Sequence, residues 1–431
     1  MPSSPTSSPE KLKETARPAA AEDHFESRLF VGLLALLLLA PLAFGAVEPW
    51  ARLLQELGAA LLTACWFFRW AQKPGLKLLW NPLYLPLAAL AFVIVIQIAF
   101  HTTVYLHATL ESSLQFAVCV MVFFLGNQLF ARESRARRFG GVLAVFGGVL
   151  AFEAILQGLA SPNKLYGLRT PRNGGLVYGP YVNHAHYAGL MEILVPFALA
   201  LALPEKRSWA RRLPWAIAAF LMAASIFLSE SRGGMLAFLV QFLIVTATLL
   251  LTERRMRTRT GLAVAIGLFV VFSLWVGAGE LEERLATFRH PGVSTHVRMQ
   301  IVRDTLHMWR ARPWLGWGLG TYVTAFPQFR SFHLNEVVNA AHNDYVQFLA
   351  ELGLAGFLPI LGFLAALYGI GLSTATAWRD NPAVAMRFAA LVGVTGIAVH
   401  SLTDFNLQVP ANAALFFALC ALASGKSGSN A

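Results

Sequence analysis

The stretch AHNDYVQFLAELGLAGF, residues 341–357, sets a histidine, an asparagine and an aspartate at the mouth of a long apolar run. A neutral imidazole at His342 could take a proton from an incoming hydroxyl, because histidine changes charge near neutral pH. His342 also reads as an interfacial histidine, or as part of a helix cap shared with Asn343 and Asp344. On a helix His342, Val346, Leu349, Gly353 and Gly356 share one stripe, and the two glycines would let a neighbouring helix approach below the histidine. Glu351 lies on the opposite side, where a carboxylate is expected to pair with a polar group of the bundle rather than react.

Arginines supply the complementary chemistry. In LSESRGGMLAF (228–238) Arg232 stands in a turn too short to leave a membrane surface. It either pairs with Glu230 or binds phosphate, whose oxygens match the planar guanidinium fork. Arg298 opens VRMQIVRDTLHMWRARP (297–313), whose apolar positions 299, 302, 306 and 309 predict an amphipathic helix ending at Pro313. The glycines of GWGLG (316–320) follow no strand and belong to no βαβ unit, so they predict a tight turn with Trp314 and Trp317 as interfacial anchors, not a nucleotide loop.

The segment RTPRNGGLVYGPYVNHAHY (169–187) combines Arg169 and Arg172 with His184 and His186. The histidines are two apart, the wrong spacing for a shared zinc face on a helix. With no HExxH, cysteine pair or DxD motif, neither a metal nor another cofactor is expected. VHSLTDFNLQVPANA (399–413) sets His400 and Asp404 near a turn, where they read as structural polar contacts.

These residues need elements to hold them, and the composition says what kind. The 431 residues are 56% hydrophobic and only 13% charged, too little polar material to cover a soluble protein of this length. Repeated long apolar runs predict an all-α polytopic membrane protein of about twelve spans: 29–47, 52–70, 81–100, 113–131, 139–160, 186–203, 213–229, 233–251, 261–279, 345–372, 384–402 and 408–424. Residues 1–28 and 425–431 read as polar tails, and the first 27 residues lack the pattern of a cleaved signal peptide. The three cysteines fall inside apolar runs and behave as small hydrophobes.

Lys and Arg in alternate short loops set an orientation. Lys73 and Lys77, then Arg132, Arg135, Arg137 and Arg138, then Arg211 and Arg212 mark one side as cytoplasmic, with both termini there. The net charge of +11 is therefore read as a topology signal, not a nucleic-acid surface. Basic residues crowd the opposite, periplasmic side at three places against that rule: segment 161–185, the Arg232 turn, and one long loop at about 280–344 carrying short amphipathic helices.

Four stretches in this order, GPYVNHAHYAGLMEILVP, SESRGGMLAF, VRMQIVRDTLHMWRARPWLGWGLGTY and AHNDYVQFLAELGLAGF, resemble the O-antigen ligase and polymerase superfamily of bacterial envelope glycosyltransferases. The closing HSLTDFNLQVPANA is also similar, and the likeness runs over about 29–424. The resemblance implies a multi-pass inner-membrane enzyme of lipopolysaccharide biosynthesis with a periplasmic site. Its donor would be an undecaprenyl-pyrophosphate-linked glycan, transferred with inversion and without metal to a lipid A–core hydroxyl. Polymerases extend lipid-linked repeats and a third group glycosylates protein hydroxyls; a lipid-linked sugar transporter is the reading of another class. By the resemblance, His342 is the general base, and Arg232 and Arg298 hold the pyrophosphate. Arg169, Arg172, His184, His186 and Asn343 line the substrate. Relatives often carry an arginine where this chain has His184.

Overall fold

The computed structural model describes residues 24–75, 77–161, 164–171, 177–203, 208–252, 293–333, 337–374, 378 and 381–425. Among these, every regular element is helical, and the extended pairings are isolated bridges between Leu165 and Arg169 and between Tyr178 and Tyr181. A helix satisfies its own backbone hydrogen bonds, which is what apolar segments in lipid require.

Eight helices are long and apolar enough to cross a membrane. They are α1 (His24–Leu42), α4 (Leu106–Leu129), α5 (Glu133–Ala160), α6 (His184–Ala202), α7 (Trp209–Leu228), α8 (Arg232–Thr252), α11 (Asp344–Thr374) and α12 (Pro382–His400). Helix α2 (Pro49–Gln72) is as long but carries Arg52, Glu56 and Arg69. Helices α3 (Tyr84–Ala99) and α13 (Pro410–Ser424) are apolar but shorter. The twelve expected spans thus become eight of full length and apolarity among the described residues, and the expected span 261–279 lies outside them. Prolines and polar caps punctuate the bundle: Asn183 and Asn381 accept from the amides of Ala185 and Ala383, and Pro382 and Pro410 open their helices.

Helix α6 is apolar on all sides and correspondingly buried, with Tyr187 through Ala198 inside the molecule. It packs against α5, α7 and α12. Leu39, Leu61, Phe92 and Phe220 on the outer helices are exposed, as lipid-facing side chains would be.

The long loop is partly described. Its helix α9 (Val293–Ala311) ends, as the spacing predicts, just before Pro313. Ile301 and Met308 of α9 form a small core with Trp317, Tyr322, Ala341 and Ala350; Tyr322 begins the one-turn helix α10 (Tyr322–Ala325).

Helix α11 departs from the expected continuous span. Gly353 has φ +62° and ψ −169° and breaks it. The chain from Pro313 to Gly318 enters the break. Leu354 and Ala355 amides donate to the carbonyls of Pro313 (2.8 Å) and Trp314 (3.0 Å), and Trp317 and Gly318 amides donate to those of Ala350 (3.1 Å) and Glu351 (2.9 Å). Gln97 of α3 donates to the carbonyls of Leu315 (2.6 Å) and Glu351 (2.8 Å) and accepts from the Leu319 amide (3.1 Å). The groups freed by the broken helix are thereby satisfied. Close approach at Gly353 is thus made by this wedge, not by a helix: a Cβ there would sit 2.2 Å from the Trp314 carbonyl oxygen. Trp314 is exposed as expected of an anchor, but Trp317 is buried, its indole donating to the Met308 carbonyl at 2.8 Å.

Candidate active site

His342 is not on a helix. It precedes α11 at φ +49°, a left-handed conformation that costs a non-glycine residue free energy and persists where neighbours impose it. The Ala341 amide donates to Gln347 Oε1 at 3.0 Å. Asn343 Oδ1 accepts from the Val346 amide, and its Nδ2 donates to the Leu402 carbonyl, each at 3.0 Å. The Asp344 amide donates to the Ser401 carbonyl at 2.9 Å. The buried Asp344 carboxyl accepts from Ser401 Oγ (2.8 Å), the Leu407 amide (3.1 Å) and Gln408 Nε2 (3.4 Å). The His342 turn is thus sewn to residues 401–408, between α12 and α13.

That stitching brings Asp404 to His342. Asp404 Oδ1 lies 3.4 Å from His342 Nδ1, a buried nitrogen with no closer polar partner. The same oxygen accepts from the Phe405 amide at 2.9 Å. Burial alone would push the Asp404 carboxyl up. The adjacent His342 imidazole and the charges of His186 and His400 outweigh it and hold the group well below the usual carboxylate range. An ionised Asp404 favours the His342 tautomer with its proton on Nδ1, leaving the Nε2 lone pair to accept a proton. The His342 side chain is 23% exposed, against 4% for Asp404.

The other histidines gather around this pair. Phe405 lies between the rings of His342 (5.2 Å, 70°) and His186 (4.6 Å, 79°). His186 Nε2 is 3.5 Å from Asn183 Nδ2. His184 Nδ1 contacts the carbonyl oxygen of Ser229, which ties the start of α6 to the turn before Arg232. Beneath that turn His400 Nδ1 meets Glu192 Oε1 at 2.8 Å, both fully buried. Gly233 and Gly234 let α8 start directly on this pair, since a Cβ on Gly233 would stand 2.8 Å from His400 Nε2.

The expected site residues divide accordingly. His342, His184, His186 and Asn343 come together at one end of the bundle, and Arg232 begins α8 there, exposed. Asn343 spends its amide on the cap and on Leu402. Arg298 is exposed on α9, whose Ile301 shares the small core with Ala341. Arg169 is engaged elsewhere: it bonds Glu48 at 2.9 Å and lies 5.3 Å over the Phe44 ring. Arg172 lies outside the described residues. Glu351 pairs within the bundle as expected, accepting from the amides of Gly320 (2.9 Å) and Tyr322 (3.1 Å) and from Gln347 Nε2 (3.2 Å). Asp404, read from sequence as a structural polar contact, makes that contact with His342. The signal for it was an ionisable group in a turn between two apolar helices. Among the described residues, no group of three or more His, Cys, Asp and Glu side chains could hold a metal ion.

A cavity of about 330 Å³ adjoins the cluster on the far side of Phe405. Asp344, Ser401 and Gln408 line it along with Leu87, Phe116, Phe363 and Phe417 from α3, α4, α11 and α13, so polar groups give way to apolar ones.

Residues 217–361, roughly a third of the chain, match the family model described as O-antigen ligase. The match takes in the Arg232 turn, α9 and the His342 turn. No curated protein matches the chain.

Proposed function

We propose, on the match of residues 217–361 to the family model described as O-antigen ligase, that this chain is an inverting, metal-independent glycosyltransferase that moves a glycan from undecaprenyl pyrophosphate to a lipid A–core hydroxyl. The observation that carries this reading is the pairing of His342 with buried Asp404 beside the Arg232 turn. In the reaction, the acceptor hydroxyl attacks the anomeric carbon. His342 Nε2 takes its proton as the new C–O bond forms. The bond to the pyrophosphate breaks, and its electron pair leaves with the carrier. Arg232 and Arg298 offset the charge developing on that leaving group. The largely apolar cavity beside Phe405 suits a chain of the carrier or acceptor lipid. The site faces the periplasm and both termini the cytoplasm, as the distribution of Lys and Arg supports.

The test uses purified protein with undecaprenyl-pyrophosphate glycan and EDTA, with lipid A–core added or omitted. Glycan on lipid A–core is the expected product. Longer lipid-linked chains without that acceptor would instead mean a polymerase. Carrier lipid moved across vesicles without any transfer would mean a transporter.

A further inference from the structure

At the opposite end of the bundle, two contiguous cavities share Arg138, Gly141 and Trp215 in their walls. The first, about 420 Å³, is lined also by Arg137 and by Pro382 and Met386 at the start of α12. The second, about 790 Å³, runs along apolar side chains of α1 and α5. Helix α12 begins at this end and finishes at His400, so the cavities lie a helix length, roughly 27 Å, from the histidine cluster.

Charge says what fits. The first two turns of α1, α5, α7 and α13's neighbour α12 carry seven arginines and two carboxylates, Glu26 and Glu133. Glu26 is taken by Arg135 at 2.8 Å, with Arg132 at 3.8 Å. Glu133 accepts from Asn381 at 3.0 Å and has Arg137 at 3.7 Å, in a pair that is 46% exposed on the arginine side. Among the described residues no carboxylate lines either cavity, which disfavours the cationic part of a zwitterionic headgroup. Gly141, between the basic and apolar portions, has nothing within 4 Å of where a Cβ would be, so the passage between the two is open.

We propose that this groove binds an anionic glycerophospholipid, its phosphate at Arg137 and Arg138 and its acyl chains along Val142, Val145 and Val149. Clustered arginines between helices at a membrane surface suit such headgroups, and Trp215 sits where an interfacial tryptophan is favoured. The site is separate from the transfer chemistry and does not depend on it.

The test is native mass spectrometry of the detergent-purified full chain titrated with phosphatidylglycerol, with phosphatidylcholine and inorganic phosphate as controls. Phosphatidylglycerol should be retained in preference to phosphatidylcholine, and inorganic phosphate should not displace it. Gly141→Leu fills the groove with a good helix former, and the double variant Arg137→Gln/Arg138→Gln removes the headgroup site. Each should weaken phosphatidylglycerol binding by at least about fivefold. Unchanged binding in both variants, equal retention of phosphatidylcholine, or displacement by phosphate alone would each overturn the proposal. If circular dichroism shows Gly141→Leu misfolded, the arginine variant decides. If neither folds, the choice between the two lipids by the unaltered chain decides.

Discussion

His342 Nδ1 and Asp404 Oδ1 face each other at 3.4 Å although they belong to opposite ends of the helix pair α11 and α12. The carboxylate is buried, ionised and held by the Phe405 amide, so it can fix the imidazole without itself reacting. Asp404→Asn keeps the shape and loses the charge. Its kcat should fall by roughly 10²-fold with the donor KM nearly unchanged, since orientation and tautomer are lost rather than binding. A parallel fall in kcat and donor affinity would mean that Asp404 serves the pyrophosphate side.

The same carboxylate makes a pH prediction. Its folded-state pKa is depressed, so its stabilising contribution is present above the ordinary carboxylate range and is lost only as pH falls through the depressed value. Imidazoles gain charge as pH falls from about 8 to 5, so the melting curves of the unaltered chain and Asp404→Asn should draw apart across that range and come together again as pH falls below about 4. A gap that stayed constant or shrank between about pH 8 and 5 would show that the group is not held charged by its histidine neighbours.

His342→Ala should abolish transfer and leave donor binding within about twofold. The strained φ at this position adds a second readout. His342→Gly loses the same imidazole but relieves the positive φ, so it should melt above His342→Ala while remaining inactive. Strong residual turnover in either variant would remove the histidine from the role of base.

Much of this was legible in sequence, and the failures share a cause. Apolar runs announced the helices, because lipid leaves the backbone no other partner. His342 stood out because an ionisable group at membrane depth is rare. Its partner did not, because Asp404 is brought to it only by Asp344, Ser401 and Leu407 stitching two helix ends together. The break in α11 was hidden for the same reason. A glycine in a helical stripe reads as a packing surface until the chain that enters the helix is known.

Arginines that look alike in sequence should differ in function. Arg232 begins α8 beside the histidine cluster and Arg298 stands on α9 near the His342 turn, whereas Arg169 lies against Glu48 and the face of Phe44. Arg232→Ala and Arg298→Ala should each weaken binding of an undecaprenyl-pyrophosphate analogue by about tenfold or more. Arg169→Ala should change it by less than about twofold. Calorimetric titration in detergent distinguishes the three, and equal losses would point to a general surface charge effect.

The wedge in α11 carries the position of the His342 turn. Gly320 and Tyr322 amides bind Glu351, Glu351 binds Gln347, and Gln347 accepts from the Ala341 amide next to the histidine. Gln347→Glu sets two carboxylates together and takes away the donor to Glu351. Glu351→Gln turns one acceptor into a donor facing other donors. Each should lower kcat at least about tenfold with smaller effects on donor KM. The exchange Gln347→Glu/Glu351→Gln restores the link between the two side chains and to Ala341 while sacrificing one bond to the wedge. Its kcat should recover several-fold above Gln347→Glu alone, a non-additivity expected of residues in one network. Gly353→Ala attacks the same wedge from the backbone, through a disfavoured φ and contact with the Trp314 carbonyl. It should cost roughly 3 kcal/mol or more of stability, visible as a lowered melting temperature. Additive losses in the exchange variant, together with an unchanged melt for Gly353→Ala, would show that the wedge does not set where His342 stands.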